Sequence, residues 1–172
     1  MAGSAMDVAR WEALRRRFRP SQIAVLLVGE SPPKGDTFFY DGNSNLFWHT
    51  WKAFTMAIPS VPNVGDFLNW FKAMGWYLTD LCPAPINNLS KTKRRELRVD
   101  GEPGLARFIT ESRPPVVIAV MLAIEENVRR AITQANYTPE AHYLPFPAHG
   151  HQGEFERGLA TIVRDLMKRT IR

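Results

Sequence analysis

Two residues that could act in catalysis, Glu30 and Ser31, directly follow a continuous apolar run. Residues 25–28 read Val-Leu-Leu-Val, and a Pro-Pro pair at 32–33 stiffens the backbone just beyond the two polar residues. An apolar run of this kind is typical of a parallel strand buried on both faces, and open α/β sheets bind ligands beyond the carboxyl ends of such strands. Glu30 could orient or activate a water molecule and Ser31 could hold one, although local backbone capping and simple turn formation explain the two residues as well.

Three further polar residues follow other apolar segments. Asp80 lies near the end of segment 76–82, and His149 and His151 fall in the loop after segment 143–146. An ionised Asp only accepts hydrogen bonds, whereas a histidine can donate one or carry a positive charge. The alternatives are a carboxylate that caps the following turn and two exposed loop histidines.

The aromatic run Phe38-Phe39-Tyr40 follows the first motif after a short loop. One of these rings could stack on a nucleobase, and stacking of this kind is worth about 1–3 kcal/mol. We assign this role to Phe39, with a small satellite core beneath the loop as the alternative.

Basic residues give the chain a formal net charge of +5 and a sequence pI near 9.7. We interpret the clusters at the two ends of the chain as solvated helix faces. A third cluster lies in a predicted loop after the second strand, where it could contact the phosphates of a nucleic acid, with a solvated face as the alternative. It comprises Lys91, Lys93, Arg94, Arg95 and Arg98.

Helical and extended patterns alternate along the chain. The apolar spacing predicts strands at 23–28, 76–82, 116–121 and 143–146. It predicts helices at 7–18, 44–58, 64–74, 102–112, 123–136 and 154–170. This order favours a three-layer α/β/α sandwich with a central four-stranded parallel sheet.

Length and composition indicate one domain spanning 1–172, with 1–6 as a disordered start. The chain lacks the pattern of a signal peptide, and no apolar run reaches the roughly 20 residues that cross a bilayer. Cys82 is the single cysteine, which excludes a disulfide framework and a cysteine-based metal site. We therefore expect a cytoplasmic monomer with no membrane partner.

Four short motifs, in order, resemble those of the uracil-DNA glycosylase superfamily, in particular its mismatch-specific and single-strand-selective branches. Gly-Glu-Ser-Pro-Pro at 29–33 is similar to the first motif, and Asn-Leu-Phe-Trp at 45–48 resembles the start of the next helix. Tyr-Leu-Thr-Asp-Leu-Cys-Pro at 77–83 resembles the base-reading strand, and Pro-Phe-Pro-Ala-His-Gly-His at 145–151 falls where the last motif would lie. Together the motifs cover nearly the whole chain.

The resemblance implies hydrolysis of the N-glycosidic bond of a damaged base that has been flipped out of single- or double-stranded DNA. It implies that Glu30 and Ser31 handle the water and that Asp80 reads the base. It also implies that His149, or else His151, faces the leaving base. No cofactor or metal is implied.

The chain departs from this family at Ser31, at Asp80, where the family usually has Asn, and at Phe146, where it often has His. These departures keep a second function open, a catalytically silent binder of nucleic acid or nucleotide on the same fold. Hydrolysis of free nucleosides is a third. Since a carboxylate suits a base edge that carries donors, Asp80→Asn should raise activity on uracil relative to amino-bearing bases.

Overall fold

Four parallel strands form the centre of the fold in a computed structural model that describes residues 5–170. The strands are β1 (Val25–Gly29), β2 (Trp76–Asp80), β3 (Val116–Ala119) and β4 (Glu140–Tyr143), and they lie in the order β2-β1-β3-β4. Every residue of β1 and β3 is buried, because these two strands are central in the sheet. The predicted α/β sandwich with a four-stranded parallel sheet is confirmed.

Six helices of the described residues flank the sheet. They are α1 (Ala5–Phe18), α2 (Asn45–Ala57), α3 (Phe67–Ala73), α4 (Lys91–Ser112), α5 (Glu125–Gln134) and α6 (Gln152–Thr170). Short 3-10 turns cover Phe39–Asp41 and Leu122–Ile124. Helix α2 packs against α6, and α4 packs against α5.

The strand order explains where a site can form. The chain moves from β1 to β2 on one side and then crosses back to β3 on the other, so the direction of winding reverses between β1 and β3. Right-handed crossovers then place the helices on opposite faces of the sheet. A crevice opens at such a reversal, beyond the carboxyl ends of the strands.

Two parts of the predicted element map are wrong. The basic segment 91–98 is the first half of helix α4 and not a loop, because Ser90 caps the helix by accepting a hydrogen bond from the Lys93 backbone N–H at 3.2 Å. Strand β4 covers Glu140–Tyr143 and not 143–146. This edge strand is only partly buried and contains polar residues, so its sequence lacks the apolar run by which the other strands were predicted. Ala5 and Met6 belong to α1, and the rest of the segment 1–6 lies outside the described residues.

A close approach at Gly101 fixes α4 over the end of β2. A Cβ atom on Gly101 would lie 2.3 Å from the Leu81 carbonyl oxygen, whereas a Cβ on Gly104, one turn further, would have no heavy atom within 4 Å. The two glycines of one helix therefore differ in whether a methyl group fits.

We predict opposite effects for the two alanine substitutions. Gly101→Ala should lower the free energy of unfolding by about 1–3 kcal/mol, the usual cost of forcing extra volume into packed structure. Gly104→Ala should raise it by about 0.5–1 kcal/mol because alanine favours a helix interior. Urea unfolding of the two variants tests this pair, and a destabilisation of equal size in both would contradict the close approach.

Candidate functional site

A cavity of about 710 Å³ lies at the carboxyl edge of the sheet. All four strand ends contribute to its wall, through Gly29–Pro33, Asp80, Met121–Ala123 and residues between Pro145 and His151. This volume is typical of a small-molecule site. The convergence expected for parallel strands therefore brings the predicted polar residues to one place.

Asp80 lies on the floor of this cavity, beside the end of β1. Asp80 and Gly29 are register partners, and a Cβ atom on Gly29 would lie 2.5 Å from Asp80 Oδ1. A side chain at position 29 would therefore displace the carboxylate. Burial raises the pKa of Asp80, and the neighbouring charge of Arg15 opposes that rise.

Arg15 is the partner of Asp80, and it is not among the residues predicted from the sequence. The guanidinium donates to Asp80 Oδ2 at 2.5 Å and to Glu12 at 2.6 Å, and it lies 5.3 Å from the centre of the Phe38 ring. The interpretation of the basic residues of α1 as a solvated face is wrong for Arg15, which is buried. The sequence does indicate that Arg15 is buried, because it lies four residues after Trp11 and three before Phe18, on the apolar face of the helix.

Glu30 is also buried, and two arginines of α4 hold its carboxylate. Arg94 donates to Oε2 at 2.6 Å, and Arg98 donates to Oε1 through Nε at 2.7 Å and through a second nitrogen. Arg98 also bonds the Ala123 carbonyl oxygen at 3.0 Å, beyond the end of β3. Two cations against one carboxylate leave a net positive charge at this end of the cavity.

The other candidate residues for catalysis line the same cavity. Ser31 Oγ accepts a long hydrogen bond from the Ile86 backbone N–H at 3.4 Å. His149 is exposed and has a left-handed backbone, with φ at 53°. His151 is exposed as well, and its Nδ1 lies 3.1 Å from a Glu154 carboxylate oxygen. The loop after β4 therefore contributes both imidazoles to the lining of the cavity.

Phe39 contributes to the cavity wall from within an aromatic core. Its ring packs against Tyr40, Phe47 and Phe71 at centroid distances of 5.2–5.9 Å, and the residue is 2% exposed. Phe39 therefore belongs to the small aromatic core beneath the loop, which was the alternative to a stacking role. Only the part of the ring that borders the cavity is available to a ligand.

The predicted nucleic-acid contacts divide into two groups. Arg94 lines the cavity and is paired with Glu30, whereas Lys91, Lys93 and Arg95 are exposed on the first turns of α4. Asn87, in the segment before α4, also lines the cavity. The amino-terminal end of α4 thus lies beside the cavity rim.

Within residues 5–170, no group of three or more metal-ligating side chains is close enough to hold an ion, and no helix is long and apolar enough to cross a membrane. The chain matches no protein-family model and no curated protein.

Cys82 lies just beyond β2 and is buried, with Sγ 3.4 Å from the Leu97 carbonyl oxygen. Burial raises the pKa of this thiol to about 12. We predict that native protein at mildly alkaline pH resists alkylation by iodoacetamide, since the thiolate is the reactive form. Unfolded protein should react fully under the same conditions, and rapid alkylation of the native chain would contradict the burial of Cys82.

Proposed function

We propose that this chain is a DNA glycosylase that hydrolyses the N-glycosidic bond of a flipped base. The observation that carries the proposal is the convergence of a buried carboxylate, a serine and two imidazoles on one cavity at the carboxyl edge of a parallel sheet. The resemblance of the four sequence motifs supports it, because all four fall on this cavity or beside it. We further propose that the enzyme acts as a cytoplasmic monomer.

Glu30 is proposed to orient the attacking water. Its carboxylate is fixed by Arg94 and Arg98, so its position in the cavity is defined before a ligand binds. A preorganised charge costs no reorganisation during the reaction, which is the main source of electrostatic catalysis. Ser31, the next residue, offers a hydroxyl to the same water.

His149 is proposed to stabilise the departing base. Breaking the glycosidic bond leaves positive charge on the sugar and negative charge on the base, so a donor or cation is needed on the base side. His151 is the alternative donor on the same loop.

The experiment is single-turnover excision from labelled single- and double-stranded oligonucleotides that carry uracil, hypoxanthine or xanthine, followed by alkaline cleavage of abasic sites. Glu30→Gln and His149→Ala should each slow excision by about 10²–10³-fold, the usual loss for one electrostatic stabiliser. Their affinities for DNA should change only a few-fold. Rates close to wild type in both variants would contradict the assigned roles.

Glu96→Gln and His142→Ala are the matched controls, since both residues lie outside the cavity and Glu96 forms an exposed ion pair with Lys93. Thermal unfolding of each variant separates a loss of stability from a loss of catalysis. Free nucleosides, tested in parallel, identify a nucleoside hydrolase.

A catalytically silent binder is the second candidate, and the pairing of Glu30 favours it. Both carboxylate oxygens already accept hydrogen bonds from arginines, which competes with binding of a water. Tight binding of the oligonucleotides without any excision would support this candidate over the first.

We predict that the exposed cations at the start of α4 bind DNA phosphates. Replacing Lys91, Lys93 and Arg95 together by alanine should weaken binding to all sequences and lower the slope of log K against log salt by about 0.9 for each duplex phosphate that these side chains neutralise. Replacing Arg16, Arg107 and Lys168 removes the same charge from exposed positions away from the start of α4. An equal reduction of affinity in both triple variants would show that net charge alone drives binding.

A further inference from the structure

Among the described residues, a single hydrogen bond joins the loop 145–151 to an element outside the loop and α6. Asn45, the first residue of α2, donates from Nδ2 to the Pro147 carbonyl oxygen at 2.9 Å. The other hydrogen bonds of the loop stay within it or reach the first turn of α6. Pro145 and Pro147 have no backbone N–H, so the loop has few donors with which to fix its own position. Its placement against α2 therefore depends on Asn45.

The turn that carries His149 has a backbone conformation that favours glycine. The His151 backbone N–H donates to the Ala148 carbonyl oxygen at 3.1 Å, and the two residues between them, His149 and Gly150, have φ of 53° and 91°. Positive φ at both central positions is typical of a type I′ turn, in which Gly, Asn and Asp are preferred. The turn itself gives no reason for a histidine at position 149, and this residue lines the cavity.

His151 is held by the start of α6. Its carbonyl oxygen accepts a hydrogen bond from the Phe155 backbone N–H at 3.0 Å, as is usual for the residue that precedes a helix. Its Nδ1 lies 3.1 Å from a carboxylate oxygen of Glu154, in the first turn of the same helix. Both contacts are local to α6, so neither of them depends on Asn45.

We infer that Asn45 is a positioning residue for His149, and that His149 and not His151 is the imidazole whose place in the cavity it determines. Asn45 binds Pro147 two residues before His149 and so fixes where the turn begins. Helix α2 also packs along α6, which fixes where the turn ends. The inference rests on the proposed function only in taking the ligand to be the substrate, because the positioning is measurable on the free chain.

NMR spectra and amide hydrogen exchange of the whole chain test the positioning. Asn45→Ala should speed exchange of the Ala148 and His151 amides about fivefold, the factor that corresponds to one hydrogen bond of about 1 kcal/mol. It should shift the ring signals of His149 and leave those of His151 in place.

Asn45→Asp separates this role from an effect on α2 itself. A carboxylate in the first turn favours the amino-terminal end of a helix, so α2 should be no less stable. The same carboxylate cannot donate and would face the Pro147 carbonyl oxygen, so the loop should be released at least as much as in Asn45→Ala. A merely structural role at the start of α2 predicts wild-type exchange in the loop of Asn45→Asp.

His49→Ala is the matched control. His49 lies one turn after Asn45 on α2, and its Nδ1 is 2.6 Å from a carboxylate oxygen of Glu156 on α6. This variant loses a contact between α2 and the carboxyl-terminal part of the chain but none to the loop. Its thermal stability should fall, whereas exchange of the Ala148 and His151 amides should stay within about twofold of wild type.

A double-mutant cycle in the excision assay connects the positioning to the proposed function. Asn45→Ala should slow single-turnover excision about 10–100-fold, because a small misplacement of an acting group costs this much. In a His149→Ala background the same change should alter the rate less than about twofold, since there is no imidazole left to misplace. In a His151→Ala background the full factor should remain.

Unchanged exchange in both Asn45 variants would overturn the inference, as would equal shifts of the two imidazoles. A full effect of Asn45→Ala on excision in the His149→Ala background would overturn it too. A chain that shows the loop response but excises no base contradicts the proposed function alone. A chain that excises bases without the loop response contradicts the inference alone.

Discussion

Two adjacent parallel strands end in buried carboxylates, and neither could be buried there without an arginine from a neighbouring helix. Removing a carboxylate from water costs several kcal/mol unless a cation and hydrogen bonds replace the solvent. Arg15 of α1 serves Asp80, and Arg94 and Arg98 of α4 serve Glu30. The positions of these two helices relative to the sheet are therefore linked to the charges of the site.

The arginines of α1 and α4 contact different parts of the cavity wall. Arg98 joins the end of β1 to the segment after β3 by also bonding the Ala123 carbonyl oxygen, so α4 spans the point where the winding of the sheet reverses. Arg15 reaches only the β2 side of the floor. Helix α4 thus connects the segments on both sides of the crevice, while α1 positions a carboxylate that lines the cavity.

The sheet is well predicted from the sequence because its central strands are covered on both faces and read as plain apolar runs. The prediction misplaces β4 because an edge strand such as Glu-Ala-His-Tyr is only partly buried, and it misses the start of α4 because the first turns depend on the Ser90 cap and on charged residues. The cavity residues after the strands were predictable from topology. Their arginine partners were not, since the pairs join residues more than 60 positions apart in the chain.

The contact between Arg15 and Asp80 has a consequence for how related sequences should vary. The two positions are 65 residues apart in the chain, but their side chains neutralise each other in one buried ion pair. A relative with an amide at position 80 has no need of a cation at position 15, where an apolar side chain would pack against Phe38 just as well. Positions 15 and 80 should therefore covary across an alignment, with position 29 restricted to glycine wherever the acid is kept.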